Sequence, residues 1–211
     1  MKSNLRAELD SWVVKDPKVR QLKLEREWIR YPQILEALGI KDLLYLREKS
    51  ILDIGCGPMG GLLQIIDCDK KTTLDPLNYE YLRLFPEFYN SGIRYVTGRG
   101  EEMPFATNSF DLVMSTNAFD HAEDPYRVLT EMDRVLKPGG YIALMFCLNL
   151  SKIHPHPAHI HSINEEVFRS WVDSKYETII HKVIPYGWVQ HNDRIGQPAL
   201  VWLGRSTEMP K

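Results

Sequence analysis

The residues whose types and spacing most clearly bear on chemistry lie in "ILDIGCGPMGG", residues 51–61. Gly55, Gly57 and Gly60 fit G-x-G-x-x-G, a loop whose backbone can approach a ligand closely. A dinucleotide would bring a pyrophosphate to that loop. Asp53 stands two residues before the first glycine, where its carboxylate would repel such a group. A second acid, Asp75, follows 22 residues after Asp53. An acidic residue about 20 residues beyond a glycine loop can hold both hydroxyls of a ribose. Together these residues ask for a ligand with a ribose, a cation and no phosphate. S-adenosylmethionine (SAM), with the α-ammonium of its methionine moiety, meets that description.

Histidine supplies a second set. The segment "HPHPAHIH" places His154, His156, His159 and His161 within eight residues. Such density suggests a metal. No cysteine accompanies it, and the prolines stiffen a backbone that would have to wrap around one ion, so no metal site is assigned. Contact with a substrate, for which His156 and His159 are the candidates, and packing of a loop both stay open.

The elements that must position these residues alternate. A helical pattern runs from Lys18 to Gly39, with apolar Val19, Leu22, Trp28, Ile29, Ile34, Leu35 and Leu38. Pro32 is expected to break or kink it and Gly39 to end it. "SILDI" reads as a buried strand opening into the glycine loop, and "GGLLQII" as the helix after it. "KTTLDP" is a strand, "NYEYLRLF" a helix, "IRYVTG" and "FDLVMSTN" two further strands. "EDPYRVLTEMDRVLKPGG" is a helix with Asp124 as N-cap, Pro125 at its first position and an apolar stripe at Val128, Leu129, Met132, Val135 and Leu136. "PGG" should stop it, and "YIALMFCL" is a fully buried strand. "HSINEEVFRSWV" opens with a capping box, Ser162 with Glu165. The strands "ETIIHKVI" and "PALVWLG" follow with no helix between them, so they must pair antiparallel. The expectation is an α/β, Rossmann-like, doubly wound fold. Its seven-stranded sheet is mostly parallel with an antiparallel final strand, and helices cover both faces. A single domain is expected over 1–211, with a helical cap at 1–49, a SAM-binding core at 50–146, and a substrate-side loop, helix and hairpin at 147–211.

At this point "LDIGCGP", "LDP", "EEMPFATNSFDLVMSTNAFDHAEDP" and "EMDRVLKPGG" resemble the class I SAM-dependent methyltransferases, in particular the small-molecule branch. The resemblance runs from about residue 50 to 146 and continues more loosely to the end. It implies that Asp53, Gly55, Cys56 and Gly57 form the cofactor loop and that Asp75 and Pro76 meet the ribose. It puts Glu101, Glu102 and Met103 near the adenine, and Asn117 at the mouth of the fourth strand facing cofactor and substrate. Arg99 stands where the family often has an aspartate for the adenine amino group, and Met59 where glycine is common. Methyl transfer from a sulfonium is a one-step displacement, so a base is needed only if the acceptor must lose a proton. His121, whose ordinary pKa lies near neutrality, and Asp120 are the candidates; an orienting or packing role for His121 is the alternative. The long loop "PYGWVQHNDRIGQP", with Trp188, and the N-terminal helix residues Trp28, Arg30 and Tyr31 are candidates for the roof of an acceptor pocket.

The remaining composition excludes several classes. The chain has 211 residues and a net charge of −2, which argues against a general nucleic-acid binder. The first fifty residues carry 11 Lys/Arg against 8 Asp/Glu, as a solvated helix face does. The longest apolar run, "YIALMFCL", is too short to span a bilayer. "MKSNLRAELDSW" has no apolar stretch of secretory type. Three cysteines without a CxxC suggest reduced thiols and a cytoplasmic setting. "TNAFD" is not the D/N-P-P-Y/F of enzymes that methylate DNA amino groups, and no Pro-Cys nucleophile is present. The expectation is a small-molecule acceptor and no partnership with DNA or membrane. A protein or RNA target, aminopropyl transfer and SAM binding without transfer are the alternatives.

Overall fold

The computed structural model describes residues 3–13, 16–40, 45–148, 161–186 and 197–208. Its seven strands form one sheet: β1 (Ser50–Ile54), β2 (Lys70–Asp75), β3 (Ile93–Thr97), β4 (Phe110–Thr116), β5 (Leu136–Cys147), β6 (Tyr176–Tyr186) and β7 (Gln197–Ser206). The order is β3-β2-β1-β4-β5-β7-β6. β7 alone runs antiparallel, to β5 on one side and to β6 on the other. The expected seven-stranded, mostly parallel sheet with a reversed final strand is therefore present. The chain reverses strand order between β1 and β4, and such a switch opens a crevice at the carboxyl ends of the strands.

Side chains alternate across the sheet and fill a core on each face. On one face Ile51, Leu112, Met114, Ala143 and Val201 pack under helix α2 (Pro17–Ala37), which contributes Leu24, Tyr31, Ile34 and Leu35, followed by its C-cap Leu38. On the other, Leu52, Val113, Ile142, Leu144 and Trp202 meet helix α4 (Pro125–Val135) and helix α5 (Glu165–Val172). The expected stripe of α4, Val128 through Leu136, is buried throughout. Two further helices pack together. α1 (Ser3–Trp12) lays Leu9 against Leu77, Tyr81 and Phe85 of the segment around α3 (Asn78–Leu84).

Four local expectations need correction. "GGLLQII" makes only one 3-10 turn, Gly61–Gln64, rather than a helix. Gly60 and Gly61 both have positive φ, a backbone conformation outside the right-handed helix. α4 ends before "PGG", because Leu136 is already extended and pairs with Phe110 of β4. α5 is capped by Asn164, whose side chain accepts from the Val167 N–H, rather than by Ser162. α2 passes through Pro32 without ending. That proline removes only the bond to the carbonyl of residue 28, on a side where Trp28 is exposed to solvent.

α2 also inverts a simple hydrophobic reading. Val19, Leu22, Trp28 and Ile29 face solvent, while Glu27 and Arg30 are buried. Glu27 and Arg30 are buried as an ion pair at a cavity, beside the apolar residues of the helix that pack on the sheet.

Candidate active site

A cavity of about 190 Å³ opens at the carboxyl ends of β1, β2, β3 and β4 and is covered by α1 and α2. Its floor is built from the sheet. The chain leaves β1 at Ile54 and turns through Gly55 and Gly57, both at positive φ. A Cβ on Gly55 would lie 2.2 Å from the Ala118 Cβ, so only glycine fits there. Asp75, at the end of β2, is buried and uses both carboxylate oxygens: Oδ1 accepts from the Leu77 N–H at 2.8 Å and Oδ2 from the Gly57 N–H at 3.1 Å. Asp75 thus ties the glycine loop to the second strand and still presents its carboxyl to the cavity. Burial pushes its pKa up to about 6, against the pull of those two N–H groups.

Asp53 is placed differently from Asp75. It lies fully buried behind the loop and does not line the cavity. Its Oδ2 accepts from the Leu62 N–H at 3.2 Å, so it braces the 3-10 turn. Its Oδ1 has no hydrogen-bond partner. Burial pushes its pKa up to about 8, with the Asp75 charge adding to the rise and the Leu62 N–H opposing it.

The other expected cofactor residues divide. Cys56, Pro76, Glu101 and Asn117 line the cavity. The Asn117 backbone is left-handed, and its Oδ1 is buried without a hydrogen-bond partner. Glu101 accepts from the Glu123 N–H at 2.7 Å. Arg99 bridges Glu101 at 3.3 Å and Glu123 at 3.0 Å on the same rim. Met103 instead packs in the core, and Glu102 is exposed; neither lines the cavity. His121 lines it and Asp120, although buried, does not. Tyr31 and Arg30 line it from α2; Trp28 does not. His156, His159 and Trp188 lie outside the described residues. Among the described residues no group of His, Cys, Asp and Glu is arranged to hold a metal.

The roof holds residues that sequence patterns did not single out. α1 contributes Glu8 and Trp12, and α2 contributes Glu27. The Trp12 Nε1–H donates to Glu8 Oε1 at 2.9 Å, and His121 Nδ1 lies 3.5 Å from Glu8 Oε2. Burial alone would raise the Glu8 pKa; the hydrogen bond and charge of His121, with Trp12 and Lys23, outweigh it and hold the carboxyl down at about 2. On α2, Arg30 and Glu27 form a buried ion pair at 2.7 Å. The available signal was the spacing Leu5–Glu8–Leu9–Trp12, one face of a helix. It carries no motif and gives no hint of what the face covers.

The geometry fits SAM by two observations. At Gly57 an added Cβ would meet only the Trp12 ring, at 3.8 Å, so the loop leaves open space beside the cavity, and the buried Asn117 Oδ1 in the cavity lining is left for a further donor. No helix among the described residues is long and apolar enough to cross a membrane.

Comparison with known proteins agrees with this geometry. Residues 52–144 match a family model described as a methyltransferase domain. A probable phthiotriol/phenolphthiotriol dimycocerosates methyltransferase 2 of Mycobacterium ulcerans is 35% identical over 107 residues, covering 46% of this chain and 39% of that protein. A tRNA U34 carboxymethyltransferase of Nautilia profundicola is 28% identical over 134 residues, covering 60% of this chain and 43% of that protein. The chain therefore spans less than half the length of these curated relatives. Among solved structures, the N-methyltransferase NodS of Bradyrhizobium japonicum, in complex with S-adenosyl-L-homocysteine (SAH), superposes with a TM-score of 0.71 at 16% identity. That match covers 98% of this chain and 100% of the NodS chain. At that identity it shows the shared fold.

Proposed function

We propose, from the premise that the chain carries a class I SAM-dependent methyltransferase domain, that it transfers the methyl group of SAM to a small-molecule acceptor by direct displacement. The observation that carries this reading is the Asp75 carboxyl beside the Gly55–Gly57 turn, both facing one covered cavity. When bound, SAM supplies an activated methyl group on a sulfonium.

The chain's own residues hold and orient. Gly55, Cys56 and Gly57 offer backbone at close range. Asp75 still has lone pairs for ribose hydroxyls after its two N–H bonds, and Pro76 lies beside it. Glu101 and its rim partner Arg99 would flank the adenine, and Asn117 and Tyr31, which also line the cavity, would face the methionine and the acceptor. Asp53 acts through the loop it braces. The carboxylates on the walls suit a cationic ligand and oppose a pyrophosphate. Alignment of two reactants in the cavity can lower a barrier by up to about 7–11 kcal/mol. His121 is the cavity residue suited to accept a proton from an acceptor.

The test is incubation of the protein with methyl-labelled SAM and a cell extract split by size. Label in the small-molecule fraction supports the proposal. Label in RNA or protein alone contradicts it in favour of a macromolecular target.

A further inference from the structure

Charge is unevenly shared around the cavity. Glu8, Glu27, Asp75, Glu101 and Glu123 line it, against the guanidiniums of Arg30 and Arg99. Asp75 ties down the glycine loop, Glu101 and Glu123 hold Arg99 on the rim, and Glu8 accepts from Trp12 and faces His121. SAM carries a single net positive charge, from its sulfonium and ammonium less its carboxylate, so acids stay in excess when it is bound. An anionic second ligand would enter against that field.

Glu27 belongs to one face of α2. Glu27, Arg30, Tyr31 and Ile34 all line the cavity, and their spacing of i, i+3, i+4 and i+7 puts them on one side of the helix. All four are buried. Ile34 anchors this face in the core, and the Trp28 ring packs edge-on against Tyr31 with centres 5.8 Å apart. Arg30 Nη1 donates to Glu27 Oε1 at 2.7 Å; among the described residues Glu27 Oε2 has no hydrogen-bond partner. A buried ion pair adds little stability over apolar side chains of similar size, so packing alone does not account for it. Tyr31 is 6% exposed, and its hydroxyl also has no hydrogen-bond partner among the described residues. Burial, with the nearby charges of Glu27 and Asp53, pushes its pKa well up, so the hydroxyl keeps its proton. A buried hydroxyl without a partner is costly unless a ligand supplies one. A carboxylate oxygen and a hydroxyl oxygen, four residues apart on one covered helix face, suit a ligand group that is positively charged and rich in N–H donors.

We propose that this face of α2 is the acceptor subsite, and that it binds an ammonium group of the acceptor, with Glu27 as its counter-charge and the Tyr31 hydroxyl as a hydrogen-bond acceptor. The proposal rests on the methyltransferase reading above and names its substrate class: a small amine metabolite that is cationic at neutral pH. An ammonium brings donors and no acceptor, which matches the two oxygens. A neutral acceptor without such donors would leave Glu27 Oε2 and the Tyr31 hydroxyl unpaired in a closed site, and sites of that kind reject such ligands. Glu27 and Tyr31 are then the residues that set specificity, while Asp75 and the glycine loop serve the cofactor.

The test separates the small molecules of a cell extract by ion exchange at neutral pH into cationic, neutral and anionic pools. Each pool is incubated with the full chain and methyl-labelled SAM. Label is expected in the cationic pool. Tyr31→Phe, which keeps the ring, should raise the amount of that pool needed for half-maximal transfer about tenfold, with SAH affinity held within about twofold. Glu27→Gln should do the same or more, but it strands the Arg30 guanidinium in a buried place and can cost the fold. Glu27→Met with Arg30→Met removes both charges together, keeps the volume and should show the same loss. Label in the neutral or anionic pool, or in none while SAH still binds, overturns the proposal. So does unchanged half-maximal transfer in Tyr31→Phe and in the double variant. An equal fall in SAH affinity overturns it as well, since the face would then serve the cofactor. Failure of the wild type to bind SAH would instead sink the methyltransferase reading beneath it.

Discussion

The floor and the roof of the cavity are built by different physics. The floor is backbone. Gly55 and Gly57 turn the chain, Asp75 ties it down by two N–H bonds, and Asn117 ends β4 in a left-handed conformation. Its positions are set by strand register, which leaves little freedom. The roof is side chains from two helices: Glu8, Trp12, Glu27, Arg30 and Tyr31. They are held by contacts to one another, through the Trp12–Glu8 bond, the Arg30–Glu27 pair and the Lys23–Trp12 contact. Rigid backbone suits a cofactor common to many reactions. A roof of interchangeable side chains suits the part of a site that must differ from one acceptor to the next.

If that division is right, damage to the floor should exceed damage to the roof. The largest effect is expected for Gly55→Ala. The close approach to Ala118 and the left-handed backbone together should cost about 2–4 kcal/mol. SAH binding should be lost, as denaturation and calorimetry can check. Next is Asp75→Ala, which strips the Leu77 and Gly57 N–H groups of their acceptor at about 1–3 kcal/mol each. SAH affinity should fall by about 10–100-fold with the fold retained. On the roof, Trp12→Ala removes the Glu8 anchor and the Lys23–indole contact, worth about 1–2 kcal/mol. SAH should bind only a few-fold more weakly, and a loss as large as that of Asp75→Ala would erase the distinction between floor and roof.

A fourth prediction concerns pH and the floor alone. The Asp53 pKa is raised by burial to about 8 from an ordinary 3.8. The native state then binds the extra proton between those values, so this group's contribution to stability is present at low pH and is lost as pH rises toward 8. Asp53→Asn, which keeps an acceptor for the Leu62 N–H, should flatten the fall in Tm between about pH 5 and 8 and raise Tm at the upper end. Glu8 on the roof has the opposite sign, its pKa lowered to about 2, and its contribution is lost only as pH falls below about 4.5. The smallest effect is expected outside the cavity. Ile29→Gln, on the solvent face of α2, should change stability by no more than about 0.5 kcal/mol.

The same division governs what the sequence made legible. The strands and the floor could be read, because glycine spacing, an acid at a strand end and alternation of apolar runs each have a local cause. Asp75 and Gly55 are where the pattern placed them. Asp53 kept its strand position, but its side chain points behind the loop, since alternation along β1 sends it to the face under α2. Met103 is apolar and was drawn into the core beside Phe110 and Val128, away from the cavity. The roof could not be read, because burial there follows the cavity and not hydrophobicity. Glu27 and Arg30 are buried by pairing with each other, while Val19, Leu22 and Ile29 are left exposed. Glu8 has meaning only once α1 is seen to cross toward His121, a contact between residues 113 positions apart in sequence. The leucines of Gly61–Gln64 are helix formers, yet the segment makes only a 3-10 turn, because left-handed Gly60 and Gly61 outweigh them.

The most direct measurement is calorimetric titration of the purified protein with SAH, with NADH as the control and Asp75→Ala alongside. The account predicts binding of SAH alone, weakened strongly in the variant. Binding of NADH, or SAH binding indifferent to Asp75, would contradict it.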